Sequence, residues 1–499
     1  MAVELGLPPT SSGVRVDKSV IRIGADVIEL VTSGMYTSPV TIFREYVQNA
    51  ADATDLARIN GLLKPGEPGT VSIDFDHPNR SVTIRDNGIG ISAPQVPEVL
   101  LAIGGSGKRG TAARGFRGVG RLSGLAYCRE LQFRTKQAGE RETTIVTWNC
   151  RGLRTQLSQT SSAEDLRDII SRCVEVRSEL SENPETHFFE VVLKDISRLR
   201  QDILLNEKAV LHYLSQVASV PFSEEFSLRE QIESELQAHF PNRVPLELFV
   251  SGQQAFRPYR DKLVQPGSTR EIPINDVEFF SLANVDGEVG AIGWLGHHDY
   301  VSSISSTFGV RGLRARVGDI QVGEAHLFDE LYKEPRFNGW SIGEIHILDR
   351  RLVPNGRRDN FDVNHHSYNL LIQLGPIAAK ISQRCRTTSV SRNSSAIILN
   401  YINDITNVLS IPSPEPVQIS RSLANIERAY LKLKGVADEN IRHDLRRQLD
   451  NLQEELRAKS PSDRAAVLAA DAAFALIGRI ITNREQANLL ISELKKLGA

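Results

Sequence analysis

Three short stretches of the chain carry residue types whose spacing could do chemistry. In "TIFREYVQNAADATD" (41–55), Glu45, Asn49 and Asp52 recur four and then three positions apart, so a helix presents all three on one face. Ile42, Phe43, Val47, Ala50, Ala51 and Ala53 fill its other positions. A carboxylate beside an amide on a partly buried face costs free energy unless each meets a partner. The Asn49 amide oxygen can ligate a hard cation such as Mg²⁺, which accepts few protein ligands when phosphates supply the others. A carboxylate one turn away, Glu45, can orient and polarise a water. A satisfied polar pair on a surface helix is the other reading of this stretch alone.

The second stretch, "IRDNGIGIS" (84–92), places Asp86 at a strand end and turns on Gly88 and Gly90. A carboxylate there can accept a hydrogen bond from the exocyclic amine of a base, and the glycines let backbone approach a flat ring. Asp-Asn-Gly is also an ordinary turn. The third, "GGSGKRGTAARGFRGVGRLSGL" (104–125), mixes glycines with Lys108, Arg109, Arg114, Arg117 and Arg121. Gly115, Gly118 and Gly120 give it a GxxGxG spacing ahead of a helix-like segment, a source of free N–H groups for phosphates. Neither a GxxxxGK[ST] loop nor a GxGxxG followed by a ribose-binding acid is present in that stretch.

These stretches sit on elements whose period changes along the chain. Residues 19–33 and 41–59 show helical spacing, whereas 71–76 and 81–86 alternate as strands joined by "HPNR". Strand-like runs follow at "ELQFRTK", "ETTIVTW" and "HFFEVVLKDI", with a polar insertion over 151–184 that reads as helical. The pattern is α+β, helices on one face of a mostly antiparallel sheet. A second α+β unit over about 200–365 follows, with "LELFVSG", "EFFSLANVDG" and "GEIHILDRRLV" as its strands. Helical segments near 366–386 and 395–409 lead to a Pro- and Ser-marked linker at 410–422. Beyond it Ile441, Leu445, Leu449, Leu452 and Leu456 form one apolar stripe, and Ser460, Pro461 and Asp463 cap a further helix.

Composition narrows the class. The 499 residues suffice for about three domains, and 59 basic against 61 acidic residues give no whole-chain field for nucleic acid or an anionic membrane. Cys128, Cys150, Cys173 and Cys385 lie far apart without a CxxC pair, as buried thiols of a reducing compartment do. No signal-peptide pattern opens the sequence and no run of about 18 apolar residues occurs, so the expectation is a soluble, cytoplasmic protein with no membrane partner.

Taken together, the three stretches resemble the GHKL, or Bergerat-fold, ATPases: gyrase, heat-shock protein 90 chaperones, histidine kinases and MutL. Their order and spacing match the ExxxNxxD, DxGxG and glycine-lid boxes of that superfamily. The fourth box is matched only in part by "ETHFFEVVL", where Thr186 takes the threonine place and Glu185 stands where the family has glycine. The resemblance implies ATP and Mg²⁺ as cofactors, Glu45 as general base or water-orienting carboxylate, Asn49 as metal ligand and Asp86 as the reader of adenine. It also implies Asp52, Gly88, Gly90, Lys108, Gly115, Gly118, Gly120 and Thr186 as nucleotide-site residues.

The segment "DRRLVPNGRRDNFD" (349–362) resembles the middle-domain loop of heat-shock protein 90, whose arginine reaches the γ-phosphate. On that pattern Arg358 is the first candidate and Arg357 the second, the other reading being surface ion pairs with Asp359 or Asp362. "RGLRARVGDIQVGE" (311–324) and "RFNGWSIGEIHI" (336–347) also look like middle-domain sequence of compact bacterial relatives. The resemblance covers about 15–365. It implies an ATP-binding α/β sandwich over 1–198, a ribosomal-S5-like middle domain over 199–365 and a helical region over 366–499. The implied function is an HtpG-like ATPase whose ATP-driven homodimeric closure remodels or clamps a client or effector protein. A MORC- or MutL-like clamp on nucleic acid in genome or anti-phage defence, with basic contacts at 386–395 and 441–450, stays open. So does a nucleotide-sensing scaffold that barely hydrolyses ATP. A histidine kinase is disfavoured, because about 40 residues precede Glu45 and leave no phosphoacceptor helix.

Overall fold

The structure, a computed structural model, describes residues 38–102, 120–159, 166–181, 183–198, 201–264, 267, 269–459, 488 and 490–492. The helix expected at 19–33, the lid residues Lys108, Gly115 and Gly118, and the helix start at Ser460 lie outside them. The chain divides into two compact units, Met1–Ser382 and Gln383–Ala499.

The first unit opens with helix α1 (Thr41–Ile59) and the hairpin β1 (Thr70–Asp76) and β2 (Ser81–Asp86). Strands β3 (Cys128–Lys136) and β4 (Glu142–Asn149) follow, then helices α2 (Cys150–Gln159) and α3 (Leu166–Cys173), then β5 (Val174–Leu180) and β6 (Phe188–Ile196). Helices α4 (Glu207–Val217) and α5 (Arg229–His239) precede β7 (Glu247–Val250) and β8 (Gln253–Gln254). These strands form one sheet in the order β5-β4-β3-β6-β2-β1-β7-β8, antiparallel except where β7 runs parallel to β1. Alternation puts Val71, Ile73, Val82 and Ile84 on its inner face, where they pack with Phe43, Val47, Ala50 and Ala51 of α1 and Leu122 and Leu125 of a 3₁₀ turn. That apolar side of α1 turns its polar residues toward the turns at the strand ends.

A second sheet joins β11 (Asp276–Ala283), β12 (Val289–His297), β15 (Ile342–Ile347), β13 (Gly312–Val317) and β14 (Ile320–Val322) in that order, beside the short pair β9 (Lys262–Val264) and β10 (Glu271–Pro273). Its core centres on Phe222, Phe226, Tyr259 and Trp294. Helix α6 (His365–Leu409) begins in the first unit. In the second unit the rest of α6 packs with α7 (Pro416–Leu433) and α8 (Glu439–Lys459) through Ile398, Ile402, Ala429, Leu433, Leu445 and Leu449. The architecture is α+β with a helical C-terminal region.

Several local expectations change. Residues 174–180, inside the insertion read as helical, form edge strand β5 paired antiparallel with β4 from Val174–Trp148 to Leu180–Glu142. Its β-branched Val174 and Val176 suit a pleated surface, and Glu175, Arg177 and Glu179 blunt the open edge. The two helices read near 366–386 and 395–409 are one continuous helix. Residues 416–422 of the Pro- and Ser-marked stretch are helical, because Pro416 sits at the first turn and Glu415 and Gln418 close a capping box. On α8, Leu445, Leu449 and Leu456 are buried but Ile441 is exposed.

Candidate nucleotide-binding site

Helix α1 is buried along most of its length, but Glu45, Asn49 and Ala53, one turn apart, form a half-exposed line. Each end of that line meets a different glycine stretch. A Cβ added to Gly120 would lie 2.5 Å from Glu45 Oε2, so the main chain leaving the glycine-rich segment passes directly against the carboxylate. At the other end a Cβ on Gly88 would lie 2.5 Å from the Ala53 Cβ, and the Ile89 N–H donates to the Ala53 carbonyl at 3.1 Å. Helix 41–55 and both glycine stretches therefore converge on one face, with Asn49 between the two contacts. Asp52 is buried, and beside it the buried Gln48 has a side-chain oxygen with no hydrogen-bond partner.

Asp86 ends β2, paired with Val71 of β1 and Phe189 of β6. Its Oδ1 accepts from the Gly88 N–H at 2.8 Å, and the Phe189 N–H also donates to the carboxylate. Burial pushes its pKa from 3.8 up to about 7, and the two N–H groups and Arg85 only partly offset that. Gly90 has φ +71°, and a Cβ there would fall 2.0 Å from the Lys136 carbonyl oxygen, so glycine is required. Thr186 is exposed, and its hydroxyl donates to the Asn183 carbonyl at 2.9 Å while accepting from Lys136 Nζ at 3.1 Å.

The loop after β15 brings the arginine pair to the Glu45 end. Arg357 is exposed and Arg358 buried, the latter with φ +56°. The Gly323 N–H donates to the Arg358 carbonyl at 2.8 Å, and the Arg358 N–H donates to the Asn355 carbonyl at 3.0 Å. Arg44, buried on α1, makes the decisive link. Its Nη2 lies 3.1 Å from Glu45 Oε1 and donates to the Arg357 carbonyl, also at 3.1 Å. A helix near residue 45 and a loop near residue 357 thus meet through one guanidinium.

Residues 36–179, which hold α1, the Asp86 turn and the first five strands, match the family described as "Histidine kinase-, DNA gyrase B-, and HSP90-like ATPase". That stretch of the chain belongs to the family. Among curated relatives of this GHKL stretch, "Chaperone protein HtpG" of Polaromonas naphthalenivorans (strain CJ2) is 31% identical over 164 residues, covering 29% of this chain and 26% of that protein. "Chaperone protein HtpG" of Coxiella burnetii (strain RSA 331 / Henzerling II) is 32% identical over 142 residues, 25% of this chain and 22% of the relative. The protein of the same name from Chromobacterium violaceum is 32% identical over 142 residues, 25% and 22%. The chain thus spans about a quarter of the length of these relatives.

The donor set of this GHKL face fits a magnesium nucleotide. It offers a half-exposed asparagine, a neighbouring carboxylate, and glycine cradles where side chains would collide. Sequence reasoning had not singled out Arg44, Thr135 or Lys136. Arg44 precedes Glu45 and so points elsewhere on a helical wheel; only its length and the approach of a distant loop give it a role. Thr135 and Lys136 end an ordinary strand, and no spacing rule marks them.

Proposed function

We propose that the chain binds Mg-ATP along the Glu45–Asn49–Ala53 face and hydrolyses it. Asp86 accepts from the adenine amine, Gly88 and Gly90 let the backbone lie against the base, and Asp52 supports that side of the site. Lys108, Gly115, Gly118 and Gly120 of the lid segment serve the phosphates, and Thr186 belongs to the base end. Magnesium, held by the Asn49 amide oxygen, would neutralise charge on the phosphoryl oxygens. Glu45 orients the attacking water and Arg358 stabilises charge spread over the γ-phosphoryl oxygens. The observation that carries this reading is the pair of Arg44 contacts, at 3.1 Å each, joining the Glu45 carboxylate to the arginine loop. Water activation and transition-state charge stabilisation require those two elements in one place.

Likeness to the HtpG chaperones supports the wider cycle. ATP-dependent association of two copies closes the site, and the closed form remodels or clamps a protein partner. The test is phosphate release from Mg-ATP by the wild type beside Glu45→Ala, with bound nucleotide measured in both. Turnover by the wild type and binding without turnover by the variant are expected. Equal turnover by the two removes Glu45 from the reaction, and binding without hydrolysis by both removes the ATPase.

A further inference from the structure

Lys136 is fully buried at the end of β3, 0% exposed, yet it neither packs as a hydrophobe nor reaches solvent. Its Nζ donates to the carbonyl oxygens of Asn183 at 2.6 Å, Pro184 at 2.8 Å and Thr186 at 2.8 Å, and lies 3.1 Å from Thr186 Oγ1. The Thr186 hydroxyl spends its own proton on the Asn183 carbonyl, so all four oxygens act as acceptors. Three ammonium N–H groups wrapped in neutral oxygens make a clamp that gathers the turn 183–186 around the end of β3. Desolvating an ammonium is costly, and hydrogen bonds to a charged donor are the strong ones, so the turn has little freedom to move while the lysine stays.

What the clamp holds is the base end of the site. The residue after Thr186, His187, places Nδ1 2.8 Å from the Gly88 carbonyl. Two residues further, the Phe189 N–H donates to the Asp86 carboxylate. From β3 itself, Thr135 Oγ1 accepts the Ile91 N–H at 2.8 Å and donates to the Phe188 carbonyl at 3.2 Å. The Lys136 carbonyl lies against Gly90, where it excludes any side chain. Lys136 reaches the turn 183–186 through its side chain and Gly90 through its carbonyl, and each of these adjoins residues that frame Asp86. The turn it holds is also where this sequence has Glu185-Thr186 in place of Gly-Thr.

We propose that Lys136 is the positioning residue for base recognition: its ammonium clamps the 183–186 turn, and through it sets Asp86 and the Gly88–Gly90 turn against the purine edge. Thr186 then acts chiefly as one of the clamp's four oxygens. The inference rests on the reading of the Asp86 end as an adenine site, and it assigns selectivity for the base, not the phosphate chemistry, to this buried lysine.

The test uses the full chain with Mg²⁺, comparing wild type, Lys136→Met, Lys136→Arg and Thr186→Val. Affinities for ATP and GTP are measured by calorimetry, competition by inorganic tripolyphosphate reports the phosphate end, and thermal unfolding reports the fold. Lys136→Met is expected to weaken ATP about tenfold or more and to collapse the ATP-to-GTP preference, with tripolyphosphate competition unchanged. Lys136→Arg, which can still donate to several carbonyls, restores part of that preference. Thr186→Val, which removes one acceptor of four, is expected to weaken ATP less than Lys136→Met does and to keep part of the ATP-to-GTP preference. If Lys136→Met does not fold, Lys136→Gln, with two N–H donors, takes its place in the same measurements. A folded Lys136→Met or Lys136→Gln with the wild-type ATP-to-GTP ratio overturns the role. So does a Thr186→Val loss as large as that of the lysine variant, which would put the hydroxyl itself at the base. A wild type that takes tripolyphosphate but does not prefer ATP to GTP overturns the adenine reading, and the role of Lys136 with it.

Discussion

Asp86 and Arg44 show how much a single residue's surroundings decide. A carboxyl whose pKa stands at about 7 is half protonated at neutral pH, and its ionised form is the stronger acceptor for an adenine amine. Binding therefore favours loss of the proton, and ATP affinity is expected to rise as pH rises toward 7 and to level off above it. Calorimetry at several pH values, in buffers of different ionisation heat, measures the proton released; a flat profile from pH 5 to 8 with no proton release would argue against Asp86 as the acceptor. The stability sign is opposite. The folded carboxyl keeps a proton that the unfolded one, at 3.8, gives up, so this group's contribution is full below 3.8 and is lost as pH rises to about 7. Arg44→Leu removes both the Glu45 contact and the loop contact, so turnover should fall more than tenfold while ATP binding stays within about threefold. The spacing of Glu45, Asn49 and Asp52 is legible in sequence because one helix sets it. The Arg357 carbonyl that meets Arg44 and the oxygens around Lys136 are not, because segments more than 40 residues away supply them.

Elements were legible where one period dominated and one face was buried. The alternation in 71–76 and 81–86 marks β1 and β2 because their inner positions meet α1, whereas β5 has almost no buried face and so no readable period. Helix α6 hid its continuity for a different reason. Residues 386–395 are rich in Ser and Thr, poor helix formers, yet Cys385 and Ser394 are buried and the Ala437 N–H donates to Ser391 Oγ at 3.0 Å, so tertiary contacts override propensity. The arginine loop is likewise set by its neighbour. Gly323 has φ +69°, an added Cβ would lie 3.0 Å from Leu327 methyls and 3.1 Å from the Asp359 carbonyl, and its N–H holds the Arg358 carbonyl. Its own carbonyl is fixed by Gln321 Nε2 at 2.9 Å, whose Oε1 accepts from Arg314 at 2.9 Å. Gly323→Ala should cost about 1–3 kcal/mol of stability and lower turnover more than ATP affinity. Thermal unfolding with parallel turnover and binding assays decides it; unchanged turnover would detach this hairpin from the arginine loop.

At the scale of the first unit, the two sheets are joined through the segment leaving α4. Val210 and Leu214 of that helix are buried in the core of the first sheet, while Gln216, Ala218 and Val220 turn their carbonyls to buried arginines beside the second. Arg316 donates to the Gln216 carbonyl at 2.7 Å, the Ala218 carbonyl at 3.2 Å and Glu344 Oε1 at 2.6 Å. Arg257 donates to the Val220 carbonyl at 3.0 Å and pairs with Glu344 and Asp319, and Ser219 Oγ donates to Asp319 at 2.7 Å. Burial alone would raise the Glu344 carboxyl, but Arg257 and Arg316 outweigh it and hold the group well below the usual carboxylate range. Its stabilising effect is thus present above 4.5 and is lost as pH falls below that value, so the junction is expected to weaken in acid. Arg316→Met isolates the point physically. It fills similar space but leaves a buried carboxylate oxygen and the three carbonyls of Gln216, Ala218 and Asp319 short of a donor, a loss of about 3–5 kcal/mol. The core that holds Asp86 and the Gly88–Gly90 turn does not include Arg316, whereas the loop bearing Arg358 is placed through the second sheet. The expected outcome is a lower unfolding temperature, ATP affinity near that of the wild type, and turnover reduced by more than tenfold. Equal losses in affinity and turnover would mean that the junction supports the whole unit and transmits nothing between its sheets.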